Sequence, residues 1–416
     1  MEKINQSDYI QSYLDSCDKK YINNILKNDS FVEKKIIELE SFIEKIKDKP
    51  LITIEEYDQI LNYSITKGGF ITTKNRKILY SKIYNITDEN CLDYIYIDPL
   101  KKPDLLRDSF QFNIFRRKGE SIDAVKDPPE TKVVSQDCNR SKIFKMLSEY
   151  NNDKENKDFN DIVKNIKNEL YSYICEMIKL NKSLYGYFQG YHDIGLYFYL
   201  LYYNNHSFAK AVFQRFSEFN LKESLDINPN KIESYQFLSC LEILKFVINK
   251  LDKKVQNYLN KIIDNGICHF AVSWVLSLFT HNIDNPGIVY RILDYIIMSH
   301  PLSIYYLTSL IIIDKIYEAD HQSIETGPDL FKYFQELNLE NLDFDRYIEK
   351  CYKEIEKLNI SDFKELFEKI YIKKYYPIMS DIPCQKKWIM KRNDITYRSF
   401  YWYVEGQLNI IKSLFK

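Results

Sequence analysis

The segment DIVKNIKNELYSYICEMIKL, Asp161 to Leu180, decides the fold. Ile162, Ile166, Leu170, Ile174 and Ile178 recur every fourth residue, which lays one apolar stripe along a helix. The pattern continues on the C-terminal side. Leu244, Val247, Leu251, Val255, Leu259 and Ile262 predict one helix in the stretch from Lys231, and Gly266 stands where a left-handed cap would end it. Tyr347, Ile348, Tyr352 and Ile355 repeat the period further on. The chain reads as all-α.

Glycine usage agrees. Ten glycines in 416 residues is roughly a third of ordinary usage, too few for the tight turns of a many-stranded sandwich or barrel. No GxGxxG or GxxxxGK run occurs, which argues against a nucleotide-binding α/β enzyme. With 45% hydrophobic and 15% aromatic residues the chain can fill a core. Its 58 basic and 59 acidic residues leave a net charge of −1, so no overall field draws it to nucleic acid or to an acidic membrane surface. The first 30 residues hold no apolar run of the kind a secretory signal needs. The eight cysteines are far apart and show no zinc spacing, which predicts a reduced, intracellular chain.

Pro301 to Ile313, PLSIYYLTSLIII, is the best membrane candidate, but it stops at Asp314, short of the roughly 20 residues a bilayer requires. In the C-terminal ITYRSFYWYVEGQLNIIKSLFK, Arg398, Glu405 and Lys412 interrupt the apolar residues, so no spanning helix is expected there either. Three regions are expected: a Lys/Glu-rich helical extension over 1–64, with Pro50 closing one helix; a large central domain over 65–316, opened by Gly68-Gly69; and a helical region over 317–416. Tyr150 to Asp161, YNNDKENKDFND, reads as a solvated loop. No repeat of solenoid period is present.

Signatures of autonomous catalysis are missing: there is no GxSxG elbow, no HExxH, and the six histidines show no ligand spacing. Two local features stand out instead. In VVSQDCNRSKIF, Val133 to Phe144, residues Val134, Asp137 and Arg140 lie three apart, so on a helical turn the carboxylate would hold the guanidinium at a fixed angle. The plainer alternative is an ordinary surface ion pair. In LYGYFQGYHDIGLYFYLLYY, Leu184 to Tyr203, Gly186, Gly190 and Gly195 surround Gln189, whose amide Tyr187 and Tyr191 could wall in; Asp193 sits early in the apolar helix that follows. The alternative is a glycine-bearing helix entry packed in the core.

Together the two features resemble the fingerprints of the TBC domain, the family of GTPase-activating proteins for Rab-type small GTPases. The first fingerprint, IxxDxxR followed by Thr or Ser, is matched by Val134, Asp137, Arg140 and Ser141; the second, YxQG, by Tyr187-Phe188-Gln189-Gly190. Gly68 to Ile86 looks like the family's opening helix with Tyr80 where Trp is usual, and Ser273 to Ile283 and Ile288 to Ile313 look like later ones, with Trp274, Arg291 and Asp294 at familiar places. The YFQGYHDI and SHPL wording is similar to the branch acting on early secretory Rabs, whose frequent C-terminal anchor is absent from the pattern here.

The resemblance implies a multi-helix domain of two helical subdomains and a GTP-bound Rab as partner. It further implies that Arg140 acts as an arginine finger on the γ-phosphate and that Gln189 orients the attacking water. Asp137 would aim the finger, while Tyr187 and Gly190 would shape the approach of the Gln turn. His192, Asp193, Trp274, Arg291 and Asp294 would serve packing or orientation, and Cys138 packing. The chain itself would bind no cofactor, because GTP and Mg²⁺ belong to the partner. It would have no independent enzymatic activity, and its location would be cytoplasmic, with membrane contact at most peripheral at the ER or Golgi. Two other readings are a silent TBC-like module that binds a Rab or adaptor as a scaffold, and a general helical adaptor.

Overall fold

The computed structural model describes residues 5–25, 30–49, 52–84, 86, 131–150, 157–180, 187–221, 234–300, 302–319 and 324–357. Every regular element among them is helical. The N-terminal part contributes α1 (Gln6–Ile25), α2 (Ser30–Ile46), α3 (Ile54–Ile65) and α4 (Thr73–Tyr84). Then come α5 (Thr131–Asn139), α6 (Ile143–Tyr150), α7 (Lys157–Leu180), α8 (Tyr191–Leu201) and α9 (His206–Phe216), the last running into a short π segment at Ser217–Leu221. The remainder holds α10 (Ser234–Leu251), α11 (Lys253–Ile262), α12 (Val272–Leu276), α13 (Pro286–Met298), α14 (Ser303–Glu318), α15 (Gly327–Glu336) and α16 (Phe344–Glu356).

Local chemistry sets many of the boundaries. Thr53 and Glu56 form a reciprocal capping box at α3, and Thr326 and Asp329 form another at α15. Asn285 caps α13, whose first residue is Pro286, a position where the missing N–H costs nothing. The apolar series from Leu244 to Ile262 is split rather than continuous. Asp252 leaves the helical region and accepts the amides of Lys254 and Val255, ending α10 and starting α11. Gly266 does adopt a left-handed φ of 64°, but in a 3₁₀ turn beyond the end of α11. Lys157 to Asp161, expected as loop, is the first turn of α7. Pro50 and the C-terminal stretch from 358 lie outside the described residues.

Helix α8 is the hub. All eleven of its residues are buried, as an all-round apolar helix must be, and it packs on α4, α5, α7 and α9. Gly195 lets the crossing close, since a Cβ there would lie 2.5 Å from Ile174 of α7 and 3.1 Å from Phe213 of α9. The predicted stripe of α7, Ile162 to Ile178, faces this core. Helix α13 joins α1, α3, α4 and α16, and α14 joins α10, α12 and α16. One apolar cluster runs from Tyr9 of α1 to Ile355 of α16, so the N-terminal helices share the core of the central ones. The segment Ser303 to Ile313 belongs to buried α14. Among the described residues no helix is long and apolar enough to cross a membrane.

The turn between α13 and α14 carries a pH-sensitive group. His300 is buried, and its Nδ1 accepts the Leu302 amide at 3.1 Å, so the neutral ring bears its proton on Nε2. Burial pushes its pKa down to about 3. The unfolded chain therefore takes up a proton below pH ~6.5, whereas the folded chain refuses it until far lower. The stability this group confers is complete above pH ~6.5 and drains away on acidification at about 1.4 kcal/mol per pH unit. His300→Asn keeps an acceptor but cannot titrate. Urea midpoints measured from pH 7.5 to 4.5 are expected to fall more steeply for the wild type than for this variant, and parallel curves would refute the assignment.

Candidate functional site

The site grows from the C-terminus of α5. Val134 and Cys138 anchor the helix in the core, and burial pushes the Cys138 thiol up to about 12, which leaves it a packing group. Asp137 is on the same buried side. Arg140, one residue past the helix, turns outward with its side chain 69% exposed, and its Nη2 donates to Asp137 Oδ1 at 2.5 Å. The three-residue spacing thus produces the carboxylate–guanidinium contact expected of it.

The second Asp137 oxygen faces another segment. Tyr187 Oη donates to Asp137 Oδ2 at 2.8 Å, tying α5 to the turn Tyr187–Gly190 that precedes α8. Burial and this bond raise the Tyr187 phenol above its ordinary range. Gln189 lies two residues on and is exposed; its side chain has no hydrogen-bond partner among the described residues. Tyr191 does not wall it in. That ring stacks on Phe213 with centroids 4.8 Å apart and its hydroxyl reaches Ser217, because the helical turn begun at Gly190 swings it into the core. Gly186 lies outside the described residues.

Gly190 makes the turn possible. Its φ of 106° suits glycine alone, and a Cβ there would meet Ser277 Cβ at 3.2 Å. Gly190→Ala is expected to cost about 1–3 kcal/mol in urea unfolding and to displace Gln189; an unchanged midpoint would show that the turn relaxes freely.

The third wall was not foreseen. After α12 the chain passes through two left-handed residues, Leu278 (φ 52°) and Phe279 (φ 64°), before reaching Asn285. Lys142 spans the gap from α5 to this loop, donating to the Thr280 and Ile283 carbonyls; burial pushes its ammonium down to about 8. His281 is half exposed, and its Nδ1 meets Asp193 Oδ2 at 2.8 Å, an interaction that raises the imidazole pKa. Burial works to raise the Asp193 pKa, but His281, His192 and Lys142 outweigh it and hold the carboxyl below its usual range. Asp193 and His281 are 88 positions apart, so no local spacing could have paired them.

Two residues named earlier lie elsewhere. Arg291 is buried, donating to Asp345 at 2.5 Å and to the Ser64, Ile65 and Thr66 carbonyls. Asp294 accepts from Arg76, from the Phe70 amide and from Tyr80 Oη at 2.7 Å. Tyr80, which stands where Trp is usual in the family, brings a hydroxyl that donates to this carboxylate. Trp274 packs against Phe279, Phe270 and Phe334. Among the described residues no group of three His, Cys, Asp or Glu could hold a metal ion.

The model of the Rab-GTPase-TBC domain matches residues 113–321, half of the chain, and takes in α5, the Gln189 turn and the 277–285 loop. The chain belongs to the Rab-GTPase-TBC domain family. This TBC chain is 30% identical over 131 residues to the GTPase-activating protein gyp10 of Schizosaccharomyces pombe, a stretch covering 31% of this chain and 32% of that protein. It is 24% identical over 148 residues to TBC1 domain family member 20 of Bos taurus and of Homo sapiens, covering 36% of this chain and 34% of each. The matched stretches span about a third of the length of each relative. Within the TBC chain, Arg140 and Gln189 are both exposed, and they flank the single bond from Tyr187 to Asp137.

Proposed function

We propose that this TBC protein accelerates GTP hydrolysis by a Rab-type GTPase, supplying Arg140 and Gln189 to the partner's active site. The observation that carries the reading is that the Asp137–Tyr187 bond joins the two segments bearing exposed Arg140, which contacts Asp137, and exposed Gln189, two positions after Tyr187. A GTPase already holds its nucleotide and Mg²⁺, so an activator has to deliver positive charge to the γ-phosphoryl oxygens and a group that orients water in place of the GTPase's own glutamine. Arg140 meets the first need with a planar fork that can bridge two oxygens. Gln189 meets the second, its carboxamide able to accept from the water and donate to the phosphate at once. Asp137 fixes the angle of the guanidinium, Tyr187 holds Asp137, and Gly190 lets the Gln turn approach closely. The catalytic unit is taken as 65–316, flanked by helical regions 1–64 and 317–416.

The resemblance of the YFQGYHDI and SHPL wording to the early-secretory branch supports a Rab protein of that pathway as the substrate, met by a cytoplasmic protein with at most peripheral contact at ER or Golgi membranes. The deciding experiment is single-turnover GTP hydrolysis by a panel of purified Rab proteins with the wild-type chain and with Gln189→Ala. Acceleration of at least one Rab, lost in the variant, is expected. Binding to a GTP-loaded Rab without acceleration would instead make the protein a scaffold or effector.

A further inference from the structure

A continuous chain of polar contacts runs beneath the Gln189 turn, from one exposed group to another. Arg140 Nη2 contacts Asp137 Oδ1 at 2.5 Å; Asp137 Oδ2 contacts Tyr187 Oη at 2.8 Å; and Tyr187 Oη contacts His192 Nδ1 at 2.9 Å. His192 Nε2 then lies 3.3 Å from Asp193 Oδ1, and Asp193 Oδ2 meets His281 Nδ1 at 2.8 Å. The protons in this chain can be counted. Tyr187 owns one hydroxyl proton, and a neutral imidazole owns one N–H. The three contacts Asp137–Tyr187, Tyr187–His192 and His192–Asp193 need three protons, so with a neutral ring one contact goes without.

The distances say which. The two contacts made by Tyr187 are of hydrogen-bond length, whereas the His192–Asp193 contact is the longest of the three. Both Tyr187 contacts can hold protons only if His192 donates from Nδ1 to the phenol oxygen, leaving the phenol proton for Asp137. We propose that His192 is a positioning residue for Arg140: by carrying its single ring proton on Nδ1, it commits the Tyr187 hydroxyl to Asp137 and so fixes the carboxylate that aims the guanidinium. With the proton on Nε2 instead, His192 would satisfy Asp193 and draw the Tyr187 hydroxyl onto its bare Nδ1. Asp137 would then keep only Arg140.

The charged and titratable groups facing the ring are Asp137 from α5 and Arg140 just past its end, Tyr187 from the turn, Asp193 from its own helix and His281 from the 277–285 loop, with Lys142 beyond Asp193. Burial holds the His192 pKa below its ordinary value, so the neutral ring is the form that matters above pH 7.

This inference rests on the proposed function for its consequence in catalysis, but its first test needs no GTPase. Nitrogen-15 spectra of the full chain at pH 7.5, with histidine labelled, are expected to show His192 protonated on Nδ1 and bare on Nε2. In Tyr187→Phe, which removes the acceptor, the proton should move to Nε2. Hindered rotation of the Arg140 guanidinium should be present in the wild type and in His192→Asn, whose amide can donate from the Nδ1 position. It should be lost in Tyr187→Phe and in His192→Asp, whose carboxylate accepts at the Nδ1 position and draws the Tyr187 hydroxyl away from Asp137. An Nε2 tautomer in the wild type, or an Arg140 signal indifferent to these changes, overturns the proposal.

On an accelerated Rab, His192→Asp should lower kcat by about 10- to 100-fold with KM little changed, while His192→Asn stays close to wild type. Equal losses in both variants would make His192 a merely structural residue. If the wild type accelerates no Rab, the proposed function fails, and the spectra still decide where the proton sits and what it does to Arg140.

Discussion

Arg140→Lys is expected to remove the acceleration of GTP hydrolysis almost as completely as Arg140→Ala, a loss of about 10³–10⁵ in rate, or roughly 4–7 kcal/mol of transition-state stabilisation. Retained charge does not rescue it, because an ammonium is a point charge that cannot bridge two phosphoryl oxygens as a planar fork does. Folding should suffer far less than the rate. The Arg140 side chain is 69% exposed, but Asp137 is buried, so Arg140→Ala leaves that carboxylate with the Tyr187 hydroxyl and costs about 1–3 kcal/mol. A urea midpoint shifted by no more than that, together with the loss of rate, would assign the effect to chemistry. An Arg140→Lys variant with more than a tenth of the wild-type acceleration would sink the finger mechanism.

Asp294→Ala should have the opposite profile, with large cost to the fold at a distance from the reacting groups. Asp294 is fully buried and answers Arg76, also fully buried, through contacts at 2.9, 3.0 and 3.2 Å. Burial alone works against the Arg76 charge; Asp294 outweighs it and raises the guanidinium pKa above its ordinary value. Removing the carboxylate leaves that cation with Asp18 at 3.8 Å and the Ile71 carbonyl. A stranded buried charge costs about 3–5 kcal/mol, enough to unfold a marginal domain. Tyr80→Phe, which deletes one donor to the same carboxylate, should cost less, about 1–3 kcal/mol. Equilibrium urea unfolding checks both. A loss under about 1 kcal/mol for Asp294→Ala would mean that water reaches Arg76.

The helices and the Asp137–Arg140 contact were legible because both follow from local spacing; the roles proposed for Arg140 and Gln189 rest on the resemblance of their motifs instead. A period of four lays Ile162 to Ile178 on one side of α7, and three residues place Asp137 beneath Arg140 whatever the rest of the chain does. What stayed hidden depends on distant contacts. Nothing near Gln189 says that Ser277 limits Gly190, that Lys142 holds the carbonyls of 280 and 283, or that His281 closes on Asp193. The break at Asp252 was missed for a different reason. The apolar period runs straight through it, and only the capping geometry shows that the backbone leaves the helix there. Tyr191 was misplaced because neighbouring aromatics in a turn look equivalent until the helix start at Gly190 sends one inward.

The close contact between Arg140 and Asp137 bears on how a partner would find this surface. From a distance the two opposite charges form a dipole, whose field dies away far faster than that of a lone cation. The chain as a whole is nearly neutral as well. A guanidinium held this way exerts little long-range pull on the many anionic nucleotides and phosphate-bearing surfaces of a cell. Its attraction is felt only when a phosphate comes close enough to compete with the carboxylate, so selectivity is left to the shape of the surfaces that bring the two together.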